Sequence, residues 1–487
     1  MAYELTVSRL IAPFYGNSVY TWGILLSVVM AALALGYFLG GRMADKTKRL
    51  ELTLAFVLFA SGLILFISYY VSQRLLQQSL HLLALSSSAW LYLVVLSLAT
   101  LGSFAPAMTI LGMVSPLLMK LSVKGLRSVG NTAGLLSMMG SIGGIIGSLT
   151  ASFVLIPALG VFHSIQFLAI LLSLTFLLVV SNKKSLQISA LSVICIVFLG
   201  RFSQILSTKA RADVEVESLY NHIKISDING TKYLSTGNSR GVQSISIPPN
   251  GIMNNYLDYF ALSPSLLHSE ESHSVLLIGV AGGTVIKQLN QFFPGKVKID
   301  AVEIDPKMIE LAKKYFELSD AEANIIVGEG RQYVATTEEK YDVVLVDAFS
   351  TDLFAPSHLM TREFFEQVKS ILNPEGVLVF NAVSPEKAQE GETLYQAIVN
   401  TVASVFPTVY HIPMRDDQFA LGNHVLIAAN SDFGTSDVLS SVAGQEAQKL
   451  AQTMQDRMQL VDYNPTQLVL TDDRAPVELL YWKMLGK

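Results

Sequence analysis

The sequence predicts an α-helical transmembrane bundle followed by an α/β, Rossmann-like domain that opens with a β-hairpin region. Three observations predict it. Mean hydropathy is +0.44, and charged residues make up 15% of the chain, against about 25% in an average soluble domain. The deficit is confined to one half: Ser18 to Gly200 is a succession of long apolar runs, and from about Arg201 onward the composition is that of a soluble protein. In that second half, strand-like and helix-like patterns alternate, and glycines or acids stand where the strands end. The chain is therefore divided into a transmembrane domain, 1–205, and a soluble domain, 206–487. The soluble domain comprises a hairpin region (212–247), a Rossmann-like core (270–430) and a C-terminal tail (431–487).

A helix needs about 20 apolar residues to cross the hydrocarbon core. Six segments approach this length: 18–40, 52–72, 89–111, 131–157, 163–181 and 186–201, the last being the shortest. The first run starts near Val19 and is too long for the core of a cleavable signal peptide. Gly140, Gly143, Gly144 and Gly147 have the spacing that lets two helices approach closely. Pro106 and Pro116 are expected to kink or end the third helix. The stretch 1–16 is apolar but interrupted by Glu4 and Arg9, so it reads either as an interfacial segment or as a polar element beneath the active site.

Basic residues follow the first span (Arg42, Lys46, Lys48, Arg49), the third (Lys120, Lys124, Arg127) and the fifth (Lys183, Lys184). Alternating spans put all three groups on one side, which the positive-inside rule makes cytoplasmic. If 186–201 also crossed, the soluble half would emerge outside, yet Arg201, Lys209 and Arg211 just beyond it oppose export. The expectation is an integral protein of a bacterial inner membrane, in contact with the lipid bilayer, with a cytoplasmic soluble domain.

The net charge of −5 offers no basic footprint for nucleic acid. The single cysteine, Cys195, lies in an apolar run and reads as a small filler. One cysteine forms neither an internal disulfide nor a cysteine metal cluster, and no metal is expected.

The soluble half opens with alternating apolar and polar residues over 212–247, interrupted at Ile228-Asn229-Gly230-Thr231. Asn-Gly between such runs predicts a hairpin. A polar helical stretch, 252–267, follows. Next, a buried strand, Val275–Ile278, runs into Gly279, Gly282 and Gly283 and then a helix. Glycines let the backbone pass close to a ligand, and a helix N-terminus offers unpaired N–H groups. About 20 residues on, a strand ends at Glu303, a carboxylate placed to take both hydroxyls of a ribose. The next strand ends at Glu329, and YDVVLVDAFSTD ends at Asp347 with Asp352 close behind. In an open parallel sheet, ligands bind beyond the carboxyl ends of the strands. The glycine turn and the three acids all lie at such ends, in consecutive strands. GVLVFNAV (376–383) supplies a further strand, and 406–413 with 424–431 form a closing antiparallel pair.

Over 212–430 these residues resemble the spermidine synthase-like aminopropyltransferases, specifically their membrane-fused branch. In that family a glycine-rich turn, a ribose-binding Glu, an acid near the adenine and an Asp after the fourth strand occur in this order. They match GVAGG, Glu303 in VEID, Glu329 in GEG and Asp347 in VDAFSTD. SRLIAPFYGNSVYTWG, GGRMAD and the tail LTDDRAPVE (470–478) resemble the membrane-fused branch, which commonly carries another apolar helix ahead of the first of these motifs. The resemblance implies an S-adenosylmethionine-type substrate, with catalytic residues Asp347, Asp352 and Tyr256. It implies substrate contacts from Gly279, Ala281, Gly282, Gly283, Glu303, Ile304, Glu329, Gly330, Asp347, Asn221 and Gln243. The family often dimerises through its soluble domain, so a homodimer is a compatible assembly.

The departures bear on the reaction. Soluble spermidine synthases carry an acid in the glycine turn that helps hold the amine of decarboxylated S-adenosylmethionine. Here the turn is Gly279-Val280-Ala281-Gly282-Gly283. Asn221-His222 stand where the family favours Gln-Asp, and Tyr256-Leu257-Asp258 where Tyr-His-Glu is usual. A carboxylate in the turn would repel that of intact S-adenosylmethionine, so its absence points to the intact substrate, with its carboxylate facing the N–H groups of the turn and helix. Attack on the γ-carbon would release methylthioadenosine. The nucleophile would be an amine or the substrate's own carboxylate, the latter closing a homoserine lactone (a cyclotransferase or lyase type). Three alternatives stand beside this reading: a polyamine aminopropyltransferase using decarboxylated S-adenosylmethionine, a methyltransferase on a membrane-associated acceptor, and a nucleotide-binding transporter or sensor.

Overall fold

The computed structural model describes residues 1–15, 19–83, 89–123, 125, 129–179, 193–194, 196–198, 213–237, 241–267, 272–349, 356–384, 392–414, 422–431, 442–477 and 480. The chain divides into two compact units: Met1–Ala212 with Val216–Leu219 and Lys487, and Asp213–Glu215 with Tyr220–Gly486.

The first unit is helical. Its elements are α1 (Ala2–Tyr15), α2 (Val19–Lys46), α3 (Leu50–Leu83), α4 (Ala89–Gly112), α5 (Val114–Ser122), α6 (Val129–Thr150) and α7 (Ile156–Val179). Among the described residues, four stretches are long and apolar enough to cross a membrane: Val19–Lys46, Leu50–Ser79, Leu93–Ser122 and Val129–Phe176. The last holds both the fourth and the fifth predicted segments. Gly160, at φ 73° and ψ 173°, breaks the helical path between them. The sixth predicted segment, 186–201, and Cys195 lie almost wholly outside the described residues.

One expectation about this unit is met and one is corrected in part. The helix break falls at Met113, between α4 and α5, and α4 ends at Gly112, whose carbonyl would need the N–H that Pro116 lacks. Pro106 stays inside α4. The four α6 glycines do not act as one packing face: Gly140 and Gly143 face open space, while a Cβ at Gly144 would lie 3.2 Å from the Met1 side chain and one at Gly147 3.6 Å from Ala2 of α1. Tighter approach occurs at Gly36, where a Cβ would collide with the Thr109 carbonyl oxygen, and at Gly40, where it would lie 2.7 Å from Met113 backbone. Both pairs join α2 to the α4–α5 junction. At Gly62, Ala169 carbonyl oxygen would lie 2.7 Å away, joining α3 to α7. The interrupted N-terminal stretch is a helix: α1 buries Val7, Leu10 and Ile11, and its Tyr3 hydroxyl bonds Ser68 of α3 at 2.6 Å.

The second unit begins with a four-stranded sheet, β1 (Val214–Glu217), β2 (His222–Ile228), β3 (Thr231–Thr236) and β4 (Ser244–Ile245), in which β2–β3 and β3–β4 are antiparallel. Ile228 pairs with Thr231, and the two residues between them, Asn229 (φ 55°) and Gly230 (φ 84°), both adopt the left-handed conformation. That is the two-residue hairpin turn expected of Asn-Gly. Next comes α8 (Tyr256–Leu262). The stretch read as polar is in fact core, buried from Leu257 to Leu267.

The remaining elements are β5 (His273–Ile278), α9 (Thr284–Phe292), β6 (Val297–Glu303), α10 (Pro306–Tyr315), β7 (Asn324–Val327), α11 (Gly330–Thr336), β8 (Tyr341–Val346), α12 (Arg362–Ile371), β9 (Leu372–Ser384), α13 (Leu394–Ala403), β10 (Thr408–Pro413), β11 (Gly422–Ala429), α14 (Gln445–Arg457) and β12 (Gln459–Leu460). They form an eight-stranded mixed sheet in the order β12-β10-β11-β9-β8-β5-β6-β7. Strands β7, β6, β5, β8 and β9 are parallel, and β11, β10 and β12 continue the sheet antiparallel. Alternation along each strand feeds two cores. Val275, Leu277, Val343 and Leu345 face α8, α9 and α14. Leu276, Ile278, Val344 and Val346 face α11, α12 and α13. Strand order reverses between β5 and β8, so a crevice opens beyond their carboxyl ends.

Candidate functional site

The glycine turn stands at that reversal. Gly279 has φ 94°, and a Cβ there would collide with the Asp347 carbonyl oxygen at the end of β8. Only glycine combines this φ with this approach. The Asp347 N–H in turn bonds the Ile278 carbonyl at 2.9 Å. Ala281 (φ 48°) and Gly283 (φ 83°) complete a left-handed path into α9. Gly282 faces the hairpin sheet: a Cβ would lie 2.7 Å from Ser244 Cβ. Thr284, at the start of α9, locks this contact by bonding the Ser244 hydroxyl (2.7 Å) and donating to the Ile245 carbonyl (2.7 Å). Gln243 directly precedes Ser244, and its N–H bonds the Leu234 carbonyl at 2.8 Å.

Glu303, at the end of β6, folds back onto the turn. Its Oε2 accepts the N–H groups of Val280 (3.0 Å) and Ala281 (3.2 Å), and its Oε1 accepts that of Asp305 (3.1 Å). Burial pushes the carboxyl above its usual range, while the Asp305, Val280 and Ala281 bonds oppose the shift. Asp305 caps α10 by accepting the Lys307 N–H, and receives the Asn221 amide at 3.1 Å. Ile304, between the two acids, remains exposed.

Glu329 is the N-cap of α11, accepting the N–H groups of Arg331 (3.0 Å) and Gln332 (2.7 Å). His358 Nε2 adds a contact to Oε1 at 3.1 Å. Burial raises this carboxyl, but the N–H donors and His358 outweigh it and hold the group below the carboxylate range. Gly330 presses against β5, and a Cβ there would collide with the Ile278 side chain.

Asp347 is reached by two donors, the Tyr256 hydroxyl (3.0 Å) and the Asn381 amide (2.9 Å). The sheet explains the second: Val346 pairs with Phe380, so the next residues on β8 and β9, Asp347 and Asn381, stand side by side. Burial raises Asp347, and the Asn381 and Tyr256 bonds lower it part of the way back. Burial, then the Asp347 charge, drives the Tyr256 hydroxyl well above its ordinary value. Among the described residues neither Asp347 nor Glu303 forms an ion pair. Asn381, only 1% exposed, leaves its Oδ1 without a partner among the described residues.

The structure therefore gathers Tyr256 and Asp347, and separately Glu303 with the turn residues Val280 and Ala281. Asp352 lies outside the described residues. Asp258 serves the fold: it takes the N–H groups of Met253, Asn254 and Asn255 and the Gln288 amide, capping α8 and so holding Tyr256 in its first turn. His222 stands 3.2 Å from Glu215. Sequence reading missed Asn381 and His358. A polar residue near the end of the buried run VLVFNAV was a usable signal for Asn381; nothing local marked His358. Among the described residues no group of three or more His, Cys, Asp or Glu is disposed to hold a metal ion.

Residues 254–416 match the family model described as the spermine/spermidine synthase domain. Over these residues the chain resembles that family. Around this domain the chain is 31% identical to a probable polyamine aminopropyl transferase of Bifidobacterium longum over 283 residues, 55% of this chain. The match spans 61% of that relative's length. A polyamine aminopropyltransferase of Vibrio vulnificus is 29% identical over 284 residues, covering 55% of this chain and 90% of the relative. Among solved structures, a probable spermidine synthase from Corynebacterium glutamicum aligns with a TM-score of 0.43 and 17% identity, over 54% of this chain and 97% of that one. The matched stretch spans the β5–β9 strand ends, Tyr256, Glu303, Glu329, Asp347 and Asp352.

Proposed function

We propose that the chain is a membrane-anchored aminopropyl-type transferase that uses decarboxylated S-adenosylmethionine and an amine acceptor. The observation that carries this reading is the character of the site at Asp347. Among the described residues, a buried carboxylate without a cationic partner lies beside an amide oxygen without a donor, Asn381 Oδ1. Two acceptors so placed favour a ligand rich in N–H donors and disfavour a carboxylate nucleophile. In the reaction, the acceptor nitrogen attacks the aminopropyl carbon bonded to sulfur. The carbon–sulfur bond breaks, its electron pair passes to sulfur, and methylthioadenosine leaves. The proton lost by the new secondary ammonium passes to Asp347 and then to solvent.

The sequence preference for the intact substrate is revised here. It placed a substrate carboxylate on the N–H groups of the glycine turn and of the helix behind it. Glu303 already occupies those of Val280 and Ala281, so a second carboxylate there would meet a buried like charge. The named relatives also favour the aminopropyltransferase alternative over the intramolecular reaction. The test is to incubate the purified full chain with decarboxylated S-adenosylmethionine with and without putrescine, and with S-adenosylmethionine alone, identifying products by mass. Methylthioadenosine and spermidine formed only with putrescine is the expected result. Methylthioadenosine released from S-adenosylmethionine alone would restore the intramolecular reaction, and S-adenosylhomocysteine would establish methyl transfer.

We also infer that the apolar helices anchor this activity at a bacterial inner membrane with the synthase domain cytoplasmic. Support comes from the four membrane-length stretches and from the basic residues that follow alternate spans. Protease protection in inverted and right-side-out vesicles tests the sidedness.

A further inference from the structure

The tail motif LTDDRAPVE finds its partners on α11 and α12. Asp472 accepts both terminal nitrogens of Arg331, Nη1 and Nη2, at 2.7 Å each, and the Thr361 hydroxyl at 2.7 Å. Its N–H donates to Glu363 at 3.0 Å, and the Arg362 N–H donates to the Leu470 carbonyl at 2.8 Å. A two-point fork of this kind fixes direction as well as distance. Arg331 passes that order on. Its Nη1 also donates to the His358 carbonyl at 3.1 Å, and its Nε to Gln367 at 3.1 Å. His358 turns its ring onto Glu329 Oε1, the same oxygen that accepts the Arg331 N–H. One residue, Arg331, therefore touches the tail, the backbone of His358 and the acid at the end of β7. Anchoring the tail alone would need only the Thr361, Glu363 and Arg362 contacts. The fork to Arg331 adds a link to Glu329.

We propose that Asp472 is a positioning residue for the nucleoside part of the substrate: through Arg331 it holds His358 against Glu329, so the C-terminal tail sets the affinity of the site for an adenosyl group. This rests on the reading of Glu329 as a nucleoside-binding acid. Methylthioadenosine, bound to the full chain in detergent and followed by calorimetry, is the probe. Asp472→Asn should weaken binding about tenfold, the scale of one charged hydrogen bond, with the rate at saturating substrate within about twofold. His358→Ala should weaken it similarly, and the double variant should be no weaker than His358→Ala alone, because residues acting in series are not additive. Arg331→Lys keeps a charge for Asp472 but loses the fork, and should reproduce the loss. Thr361→Val removes an Asp472 contact and the α12 cap without touching Arg331, and should leave affinity within about twofold. Unchanged affinity in Asp472→Asn, additive losses in the double variant, or an equal loss in Thr361→Val would each overturn the proposal while wild type still binds. A wild-type chain that binds no methylthioadenosine would instead remove the nucleoside reading of the site, and this proposal with it.

Discussion

The Tyr256 hydroxyl donates a 3.0 Å hydrogen bond to Asp347, tying the first turn of α8 to the carboxyl end of β8. Asp347 is raised by burial, and this bond opposes the rise. Tyr256→Phe removes a donor that favours the ionised form, so the carboxyl moves further up. A base must be ionised to accept a proton, and the acid limb of the pH–rate profile should move to higher pH. A hydrogen bond to a charged group contributes about 1.5–3 kcal/mol, or roughly one pH unit or more. A rate profile measured from pH 5 to 9 checks this; an unmoved limb would separate Tyr256 from Asp347 in function.

Asp347→Asn should lower turnover by about 10²–10⁴-fold while leaving methylthioadenosine affinity nearly unchanged. It should also raise thermal stability at neutral pH. Asp347 has a folded-state pKa above its unfolded value, so its stabilising contribution is full below the carboxylate range and is lost as pH rises through the folded pKa. The amide has no such loss, and its N–H could donate to Asn381 Oδ1, which has no donor among the described residues. Melting curves of the two proteins should diverge above about pH 4, the unperturbed carboxylate value, with the variant higher. A variant that melts lower at pH 7 contradicts the account.

Glu303 has two tasks, and two substitutions separate them. Glu303→Gln keeps an acceptor for the Val280 and Ala281 N–H groups but turns an NH2 on the Asp305 N–H, so it should weaken methylthioadenosine binding with a smaller drop in melting temperature than Glu303→Ala. Glu303→Ala leaves those donors unpaired, at about 1–3 kcal/mol for a buried group, and should lose both affinity and stability. Calorimetry and thermal melts on the same samples check the split. Equal melting temperatures would mean that the Glu303 contacts add nothing to the fold.

In the membrane unit, Gly36→Ala should destabilise the detergent-solubilised chain by about 1–3 kcal/mol, the range for overpacking a tight contact. The added methyl meets the Thr109 carbonyl. Gly143→Ala meets nothing among the described residues and should leave the melting temperature unchanged. The reverse ranking would return the packing role to α6.

Much of this protein was legible in its sequence because the signals are local. Apolar length alone marks helices able to cross a membrane, since a bilayer demands a run of about 20 residues whatever their partners. Asn229-Gly230 specifies its hairpin turn because both residues tolerate a positive φ. The glycine turn, Glu303, Glu329 and Asp347 are found by strand-end position, which follows from counting along each strand.

What each of those groups faces was decided only by tertiary structure. Glu303 is read from the sequence as a ribose ligand, and the fold adds that its carboxylate accepts the Val280 and Ala281 N–H groups. Asn381 joins Asp347 through the β8–β9 register, a property of two strands and not of either alone. Asp472 meets Arg331 across 141 positions of sequence, a contact that no window of residues contains. The α6 glycines had the spacing for close packing, but spacing carries no information about which neighbour is present. Periodicity and turn chemistry act over a few residues and survive in the sequence. Hydrogen-bond partners and helix contacts are set by long-range packing, which places side chains from distant segments within bonding distance.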